Sequence, residues 1–352
     1  MIVKKIYHQG EEVNKILDSY GNIVFQKTAE MTNDIKFHTK SSVNSVNYFT
    51  VYYTDSTQKD MKYSEPNKEY IFPIPTDKTV RMINFGTSNI DEVTVSCKIK
   101  LSSDLFNSKP STIRLLSCDS TESTNLINSF KLMVSPQKLV EIRNLDARNA
   151  TGMTSLFTDS YGIQKIIMRD LNVSKVTDMS YMFADCSGAT TIDIANWDTS
   201  SLTKMDNMFV RCKNVTDLDL SSFNTNAVTS MYGVFDSCEK LASIKLNGWN
   251  TSKVTSMGYM FYRCSSLTSL DFSRFDISLV TKMNGIFQSC SSLTSLDLSG
   301  WYLKNNTNIY NMFRYCNKLN TIKMIGCNQT TIDKIKSALT DAKILNQVTI
   351  IT

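Results

Sequence analysis

Histidine is nearly absent from the chain, which contains two in 352 residues, His8 and His38. Because the common serine and cysteine nucleophile pairs depend on a histidine base, this scarcity removes them from the C-terminal part of the chain. The G-x-G-x-x-G, P-loop and H-E-x-x-H signatures are also missing, so the standard nucleotide-binding and metallohydrolase classes have no support. We therefore expect no enzymatic activity, no cofactor and no metal site.

Long apolar runs are missing as well. No run of 18 apolar residues occurs, which predicts no membrane insertion. The first residues, MIVKKIYHQGEEVNKILDSY, lack the apolar core of a secretory signal, so export by the ordinary signal-peptide route is not expected. Five prolines and twelve glycines argue against a collagen-like or disordered chain. A net charge of +5 is too small to indicate a nucleic-acid partner.

The N-terminal part is expected to be all-β. Residues 1–28 read as a β-hairpin that serves as an attachment segment, with Gly10 and Gly21 at its turns. Between residues 29 and 138, runs such as NYFTVYY, EYIFPI and EVTVSCKIKL alternate in twos between polar clusters. Short strands at this spacing predict a β-sandwich-like domain.

From residue 139 the period changes to 26 residues. A cysteine, with a phenylalanine three residues before it, marks each unit, and every step between cysteines is 26 residues: Cys186, Cys212, Cys238, Cys264, Cys290 and Cys316. A divergent unit precedes them, with Ser160 in the cysteine position. A fixed period of this length is typical of a solenoid, in which each unit buries its apolar face against its neighbours.

Each unit predicts one short helix, one short strand and one corner. Ser252 is placed to cap a helix through Val254, Met257 and Phe261, and Leu270 would point inward from the strand. We therefore predict an α/β solenoid of the leucine-rich-repeat type over residues 139–352, with a parallel sheet on one face. A strand would cap its N-terminus, and a helix and strand over about 328–352 would cap its C-terminus.

The repeated unit VTxMxxMFxxCxxLTxLDLSxFxTS resembles the BspA-like leucine-rich repeat of bacterial surface proteins, mycoplasma lipoproteins and some phage-encoded proteins. The resemblance covers residues of about 139–327 in six in-phase copies. That family is defined by its scaffold, so the resemblance implies binding or adhesion without a particular ligand. The stretch VKKIYHQGEEVNKILDSYGNIVF also resembles the opening hairpin of some phage and prophage structural proteins.

The six cysteines are expected to form a reduced packing ladder. Stacked residues have parallel Cα–Cβ vectors, which suit a disulfide poorly, and free cysteine behaves as a small buried hydrophobe. A zinc site would need two close cysteine pairs or nearby histidines, which the 26-residue steps do not supply. Cys97 and Cys118 could pair, although the missing export signal argues against it.

Two groups of residues are candidate binding surfaces. The first is the strand position seven residues after each cysteine: Asp193, Asp219, Lys245, Asp271, Asp297 and Lys323. The second is Tyr262, Arg263, Arg314 and Tyr315, because tyrosine and arginine are typical of interface hot spots. A solvated acidic face is favoured over a dedicated metal site at Asp271 and Asp297, which would repel each other unless a cation lies between them.

These features predict a non-enzymatic recognition or adhesion protein. Because the repeats are of a surface type and no export signal is seen, the first interpretation is a phage virion component, with a tail-fibre-like solenoid for host-surface binding. The alternative is a bacterial cell-surface adhesin, and a further alternative is an accessory module of a carbohydrate-active enzyme. The expected partners are a protein or glycan on a cell surface, and other virion or surface proteins through the N-terminal region.

Overall fold

The computed structural model describes residues 31–39, 47–66, 68–84, 90–101, 105, 110–121, 123–131 and 137–352. For residues 7–8, 11–12, 15–17, 23–26 and 47–48 it describes the backbone alone. Within the first segment, β1 (Tyr7–His8) pairs antiparallel with β2 (Glu11–Glu12), and β3 (Lys15–Leu17) pairs antiparallel with β4 (Ile23–Gln26). The predicted turns at Gly10 and Gly21 lie outside the described residues.

Two antiparallel layers follow. They are built from β5 (Asp34–Thr39), β6 (Asn47–Tyr53), β7 (Gln58–Tyr63), β8 (Glu69–Pro73), β9 (Val80–Asn84) and β10 (Ile90–Ser96). One layer has the order β7-β6-β9, and the other contains β8-β5-β10. Phe49 joins the layers, since its ring lies 4.7 Å from that of Phe37 and 5.2 Å from that of Phe72.

The second layer continues directly into the repeat region. Strand β10 pairs in parallel with β11 (Thr112–Leu116), which pairs in parallel with β12 (Leu139–Arg143). The sheet then runs through β13 (Lys165–Arg169) to β14 (Thr191–Asp193). A parallel strand therefore precedes residue 139, and the division into domains at 28 and 138 stays a prediction.

The predicted 26-residue solenoid with a parallel sheet on one face is confirmed. Its later strands are β15 (Asp217–Asp219), β16 (Ser243–Lys245), β17 (Ser269–Asp271), β18 (Ser295–Asp297) and β19 (Thr321–Lys323). Paired residues in β15–β16 and in β17–β18–β19 are 26 positions apart, so equivalent side chains stack in columns. Leu270 is only partly buried, whereas Leu296 beside it is buried.

The helix predicted within each unit is replaced by overlapping tight turns, of which three precede Cys264. Ser252, the expected cap, instead donates its backbone N–H to Asn250 Oδ1. Tyr259 and Arg263 have a left-handed backbone, each with φ of 56°, which is incompatible with a continuous helix. Four alternate N–H groups donate to the next solenoid turn at 2.7–2.9 Å: Met257 to Lys282, Tyr259 to Asn284, Phe261 to Ile286, and Arg263 to Gln288. These backbone hydrogen bonds therefore join neighbouring units, whereas the hydrogen bonds of a helix would stay within one unit.

The C-terminal end is covered by α1 (Gln329–Asp341), a 3-10 helix (Leu345–Gln347) and β20 (Thr349–Ile351). Asn328 caps α1 by accepting a hydrogen bond from the Thr331 N–H at 2.9 Å. Ile335 and Leu339 are buried against the last turn. Strand β20 extends the parallel sheet beyond β19.

Candidate functional site

The strand-edge position predicted as a binding surface lies at the last residue of each strand from β14 to β19. Most of its charges are neutralised inside the chain by ion pairs between adjacent solenoid turns. The pairs are Arg169 with Asp193, Asp219 with Lys245 at 2.8 Å, and Asp297 with Lys323 at 4.0 Å. Asp271 forms no ion pair with any described residue and lies in register with Asp297.

The carboxylates of this edge also hold the turn that follows each strand. Asp271 Oδ1 accepts hydrogen bonds from the Ser273 N–H at 2.9 Å and from its hydroxyl at 2.6 Å. Asp219 makes the same two contacts with Ser221. The Lys245 ammonium and the Ser221 hydroxyl lower the pKa of Asp219 to about 2. Most of the charged and hydrogen-bonding groups of the strand edge therefore already have partners within the chain.

A second face of the solenoid, formed by the tight turns that precede each cysteine, is called here the turn face. It presents tyrosines to solvent: Tyr181, Tyr232, Tyr310 and Tyr315 are 45%, 36%, 69% and 52% exposed. Glycine on one turn makes room for a ring from the turn before it. A Cβ atom on Gly285 would lie 2.5 Å from the Tyr259 ring, so only glycine lets that ring lie flat on the backbone.

Three tyrosines of the turn face form a connected cluster, in which Tyr232 is exposed and Tyr259 and Tyr262 are half-buried. The Tyr232 and Tyr259 rings meet edge to face with 5.7 Å between their centroids, and Tyr259 meets Tyr262 in the same way at 5.6 Å. Aromatic pairs of this geometry are held more firmly than isolated exposed rings. The turn face is thus an ordered aromatic surface.

The second predicted group lies on the turn face as two Tyr/Arg pairs. The Arg263 guanidinium lies over the Tyr262 ring, 5.2 Å from its centroid, and Arg314 lies over Tyr315 at 4.9 Å. One solenoid turn separates the pairs, because Arg263 N–H donates to Gln288 O and Ser289 N–H donates to Arg314 O. The four residues therefore share one face without direct contact between the pairs.

A cleft of about 220 Å³ lies beside the second pair, between the last solenoid turn and α1. Its lining on the solenoid side is Ile309, Tyr310, Asn311 and Arg314, and on the α1 side Lys334, Ser337, Ala338, Asp341 and Ala342. The Lys334 ammonium is fixed by the carbonyl oxygens of residues 304 and 305. The sequence reasoning found Arg314 and missed the cleft, which depends on how α1 packs against the last turn.

The cysteine column lies inside the solenoid. Each thiol is buried, without a disulfide, and donates to the carbonyl of the phenylalanine 29 residues earlier at 2.9–3.4 Å. Ser160 makes the equivalent hydrogen bond to Phe130 O at 2.7 Å. Burial raises the pKa of Cys264 well above its ordinary value and that of Cys316 to about 12. These thiols are donors to the backbone and poor nucleophiles.

Cys97 and Cys118, the other pair considered, are also buried free thiols. Cys118 donates to Val95 O at 3.1 Å. Within the described part of the chain, no three His, Cys, Asp or Glu side chains come together in a way that could hold a metal ion. None of the helices found among the described residues has the length and apolar character that crossing a bilayer requires.

Comparison with known proteins gives one family and several similar folds. The family model described as "Mycoplasma protein of unknown function, DUF285" matches residues 124–244 and 229–350. A leucine-rich cell surface protein from Faecalibacterium prausnitzii is 16% identical over 76% of this chain and 72% of its own, with a TM-score of 0.41. An LRR protein from Leptospira interrogans is 10% identical over 75% and 73% of the two chains, with a TM-score of 0.28. The structure of a TLR13–ssRNA13 complex is 15% identical over 68% and 40%, with a TM-score of 0.29. No curated protein shows significant similarity to the sequence.

Proposed function

This chain belongs to the DUF285 family, described as Mycoplasma protein of unknown function, and from that premise we propose that it is a non-enzymatic recognition protein displayed on a cell surface. One observation carries the proposal. The turn face holds tyrosine rings and two arginines that are ordered by the fold and yet open to solvent. Tyrosine and arginine are the residue types that contribute most to protein interfaces.

The scaffold keeps this face rigid, which favours binding. Alternate backbone N–H groups of the turns bond to the following unit, and the phenylalanine rings beneath them stack at 5.0–6.4 Å from Phe130 to Phe313. A surface that is already ordered loses little conformational entropy when a partner binds. Tyrosine and arginine are enriched at protein interfaces relative to the rest of the protein surface.

A cell-surface location is supported by the resemblance of the repeat to that of bacterial surface proteins. The other interpretation, a component of a phage virion, has less support, since neither the family description nor the structures reported above mention a phage particle. In either setting the N-terminal region, residues 1–138, would attach the solenoid to a larger assembly and leave the turn face free.

The location is tested on intact cells that express the native gene. Antibodies against residues 139–352 should label unpermeabilised cells, and trypsin added outside should remove that label. Labelling that appears only after permeabilisation would contradict the proposal, and recovery of the chain in purified phage particles would favour the virion. Incubation of the purified chain with cell-wall glycans should release no product, because the proposed role is binding.

A further inference from the structure

The arginines of the solenoid differ in how they are used. Four form ion pairs within the chain: Arg143 with Glu141, Arg148 with Asp146, Arg169 with Asp193, and Arg211 with Asp185. Arg263 and Arg314 form no ion pair with any described residue, and each instead lies over the tyrosine next to it in sequence. Both belong to the turn face and are exposed. The half-buried Asp236 carboxylate interacts with Arg263 through its charge but forms no ion pair with it.

A guanidinium on an aromatic ring is well prepared to bind an anion. The ring restricts its rotamers and removes water from one side, while the planar N–H groups still point outward. A carboxylate can accept two of these N–H groups at once, which is the strongest common form of charge-assisted hydrogen bond. The two Tyr/Arg pairs are therefore suited to two anionic groups.

The separation of the pairs indicates an extended ligand. One solenoid turn lies between them, so the two backbones are about 10 Å apart at the usual spacing of about 4.8 Å between neighbouring strands. Arg314 is offset by one residue along the chain, since Arg263 is one residue before its cysteine and Arg314 two before its own. In a polyproline II peptide, residues three apart project from the same side and are separated by about 9 Å. Two acidic side chains at positions i and i+3 of such a peptide match the two arginines.

The cleft beside Arg314 distinguishes a peptide from a sulfated glycan. Ile309, Ala338 and Ala342 give it apolar surface, and its volume of about 220 Å³ accommodates one leucine-sized side chain. An acidic polysaccharide has anionic groups but no apolar side chain to place there. The combination of an unpaired arginine and an apolar cleft fits an acidic residue followed by an apolar one.

We propose that Arg263 and Arg314 bind two carboxylates, three residues apart, of an extended acidic peptide segment in a partner protein, and that the cleft beside α1 receives the apolar side chain that follows. This inference rests on the proposed recognition function and assigns the chemistry of its partner.

The probe is a fluorescein-labelled peptide, Gly-Gly-Glu-Pro-Pro-Glu-Leu-Gly-Gly, and binding to the full chain is followed by fluorescence anisotropy. Replacing both glutamates by glutamine should weaken binding by about tenfold or more, because the charge-assisted bonds are lost. Arg263→Gln and Arg314→Gln should each have an effect of similar size. Replacing the leucine by serine should weaken binding about fivefold or more through loss of the apolar contact.

Arg274→Gln is the matched control, since Arg274 is exposed and lies away from the turn face. It removes the same charge and should leave the affinity for the peptide unchanged. Equal weakening of binding would show that the affinity depends only on the net charge of the chain, which would overturn the inference. Thermal unfolding of each variant should match that of the parent. No binding of the peptide, or tight binding of heparin through the same arginines without peptide binding, would also overturn it. If the chain is surface-exposed on cells and the peptide fails, the inference alone is wrong; if the peptide binds and the chain is hidden, the cell-surface proposal is wrong.

Discussion

The strand edge and the turn face are produced by the same 26-residue unit, yet they use their polar groups differently. On the strand edge, carboxylates form ion pairs with the next solenoid turn and hydrogen bonds with the following serine. On the turn face, Arg263 and Arg314 lie on tyrosine rings and form no ion pair with any described residue. The carboxylates of the strand edge thus have partners within the chain, whereas the two arginines of the turn face have no ion-pair partner.

The interior side chains beneath the two faces also differ in how completely they are buried. Beneath the turn face, the phenylalanine column is fully buried from Phe157 to Phe313. Beneath the strand edge, Ile192, Leu218, Leu296 and Ile322 are buried, whereas Ile244 and Leu270 are only partly buried. In the two units that hold Ile244 and Leu270, the side chains under the strand edge are therefore packed less completely than those under the turn face.

The largest expected effect is that of Phe261→Ala. Its ring stacks between those of Phe235 and Phe287 at 5.2 and 6.4 Å and meets Phe272 edge to face. Loss of this buried ring should lower the free energy of unfolding by about 3–5 kcal/mol. Leu270→Ala, in the same unit under the strand edge, should cost about half as much because Leu270 is partly exposed.

Urea denaturation followed by circular dichroism measures both variants. Because neighbouring units share their interfaces, we expect several units to unfold together in each variant. An equal loss in the two variants would remove the proposed difference between the two sides of the interior.

The next effect concerns the cysteine column. Cys264→Ala removes the donor to Phe235 O and should lower the free energy of unfolding by about 1 kcal/mol, the usual net value of one hydrogen bond. Cys264→Ser should cost less than Cys264→Ala, because a hydroxyl can make the bond that Ser160 makes to Phe130 O. A serine variant less stable than the alanine variant would show that apolar packing outweighs the hydrogen bond.

The same column bears on the predicted reduced ladder. In the unfolded, non-reduced protein, titration with a thiol reagent should find all six column cysteines free. In the folded protein they should react far more slowly, because burial both shields the thiols and raises their pKa. Blocked thiols in the unfolded chain would overturn the ladder interpretation.

The sequence predicted the solenoid, its period and its columns, because a 26-residue repeat leaves few other ways to bury the same residues in every unit. It predicted a helix wrongly within each unit, since apolar spacings of three and four residues also fit a run of overlapping tight turns. The missed signal is the fifth position before the cysteine, which is left-handed throughout and holds glycine or asparagine in four units: Asn207, Gly233, Gly285 and Asn311. Those residue types adopt a positive φ most readily.

The candidate site was predicted only in part. Tyr262, Arg263, Arg314 and Tyr315 were identified from residue type, but ion pairing decides which arginines are available, and pairing depends on neighbours 26 residues away. The residue 26 positions before Arg211 is Asp185, its ion-pair partner, whereas the residue 26 positions before Arg263 is Ser237. The period therefore carried this signal, and the reasoning from residue type did not use it. The cleft beside α1 depends on how this helix packs against the last solenoid turn. The 26-residue period does not predict that packing, because α1 is not part of the repeat.

A smaller change in the free energy of unfolding is expected at acid pH. The pKa of Asp219 is lowered from 3.8 to about 2 in the folded protein, chiefly by its hydrogen bond with Lys245. The stabilisation is therefore fully present above the unfolded pKa and is lost as the pH falls from about 4 to about 2. Since both side chains are largely exposed, it should amount to a few tenths of a kcal/mol.

Asp219→Asn isolates this contribution. The variant should be slightly less stable than the parent at about pH 6, and the difference should shrink as the pH approaches the lowered pKa. Urea denaturation at several pH values measures the difference. A difference that persists unchanged at acid pH would contradict the prediction, because the contacts with Lys245 and Ser221 both favour the ionised carboxylate.

The smallest effect is expected at Asp271, the strand-edge carboxylate without an ion pair. Asp271→Ala removes two hydrogen bonds to Ser273 but also relieves repulsion from Asp297 on the adjacent turn. These opposed terms should leave the free energy of unfolding within about 0.5 kcal/mol of the parent, as for most exposed substitutions. Calorimetric unfolding measures the change, with Asp219→Ala as the matched variant whose carboxylate does have an ion pair. If Asp271→Ala proved the more destabilising of the two, capping rather than ion pairing would be the main task of the strand edge.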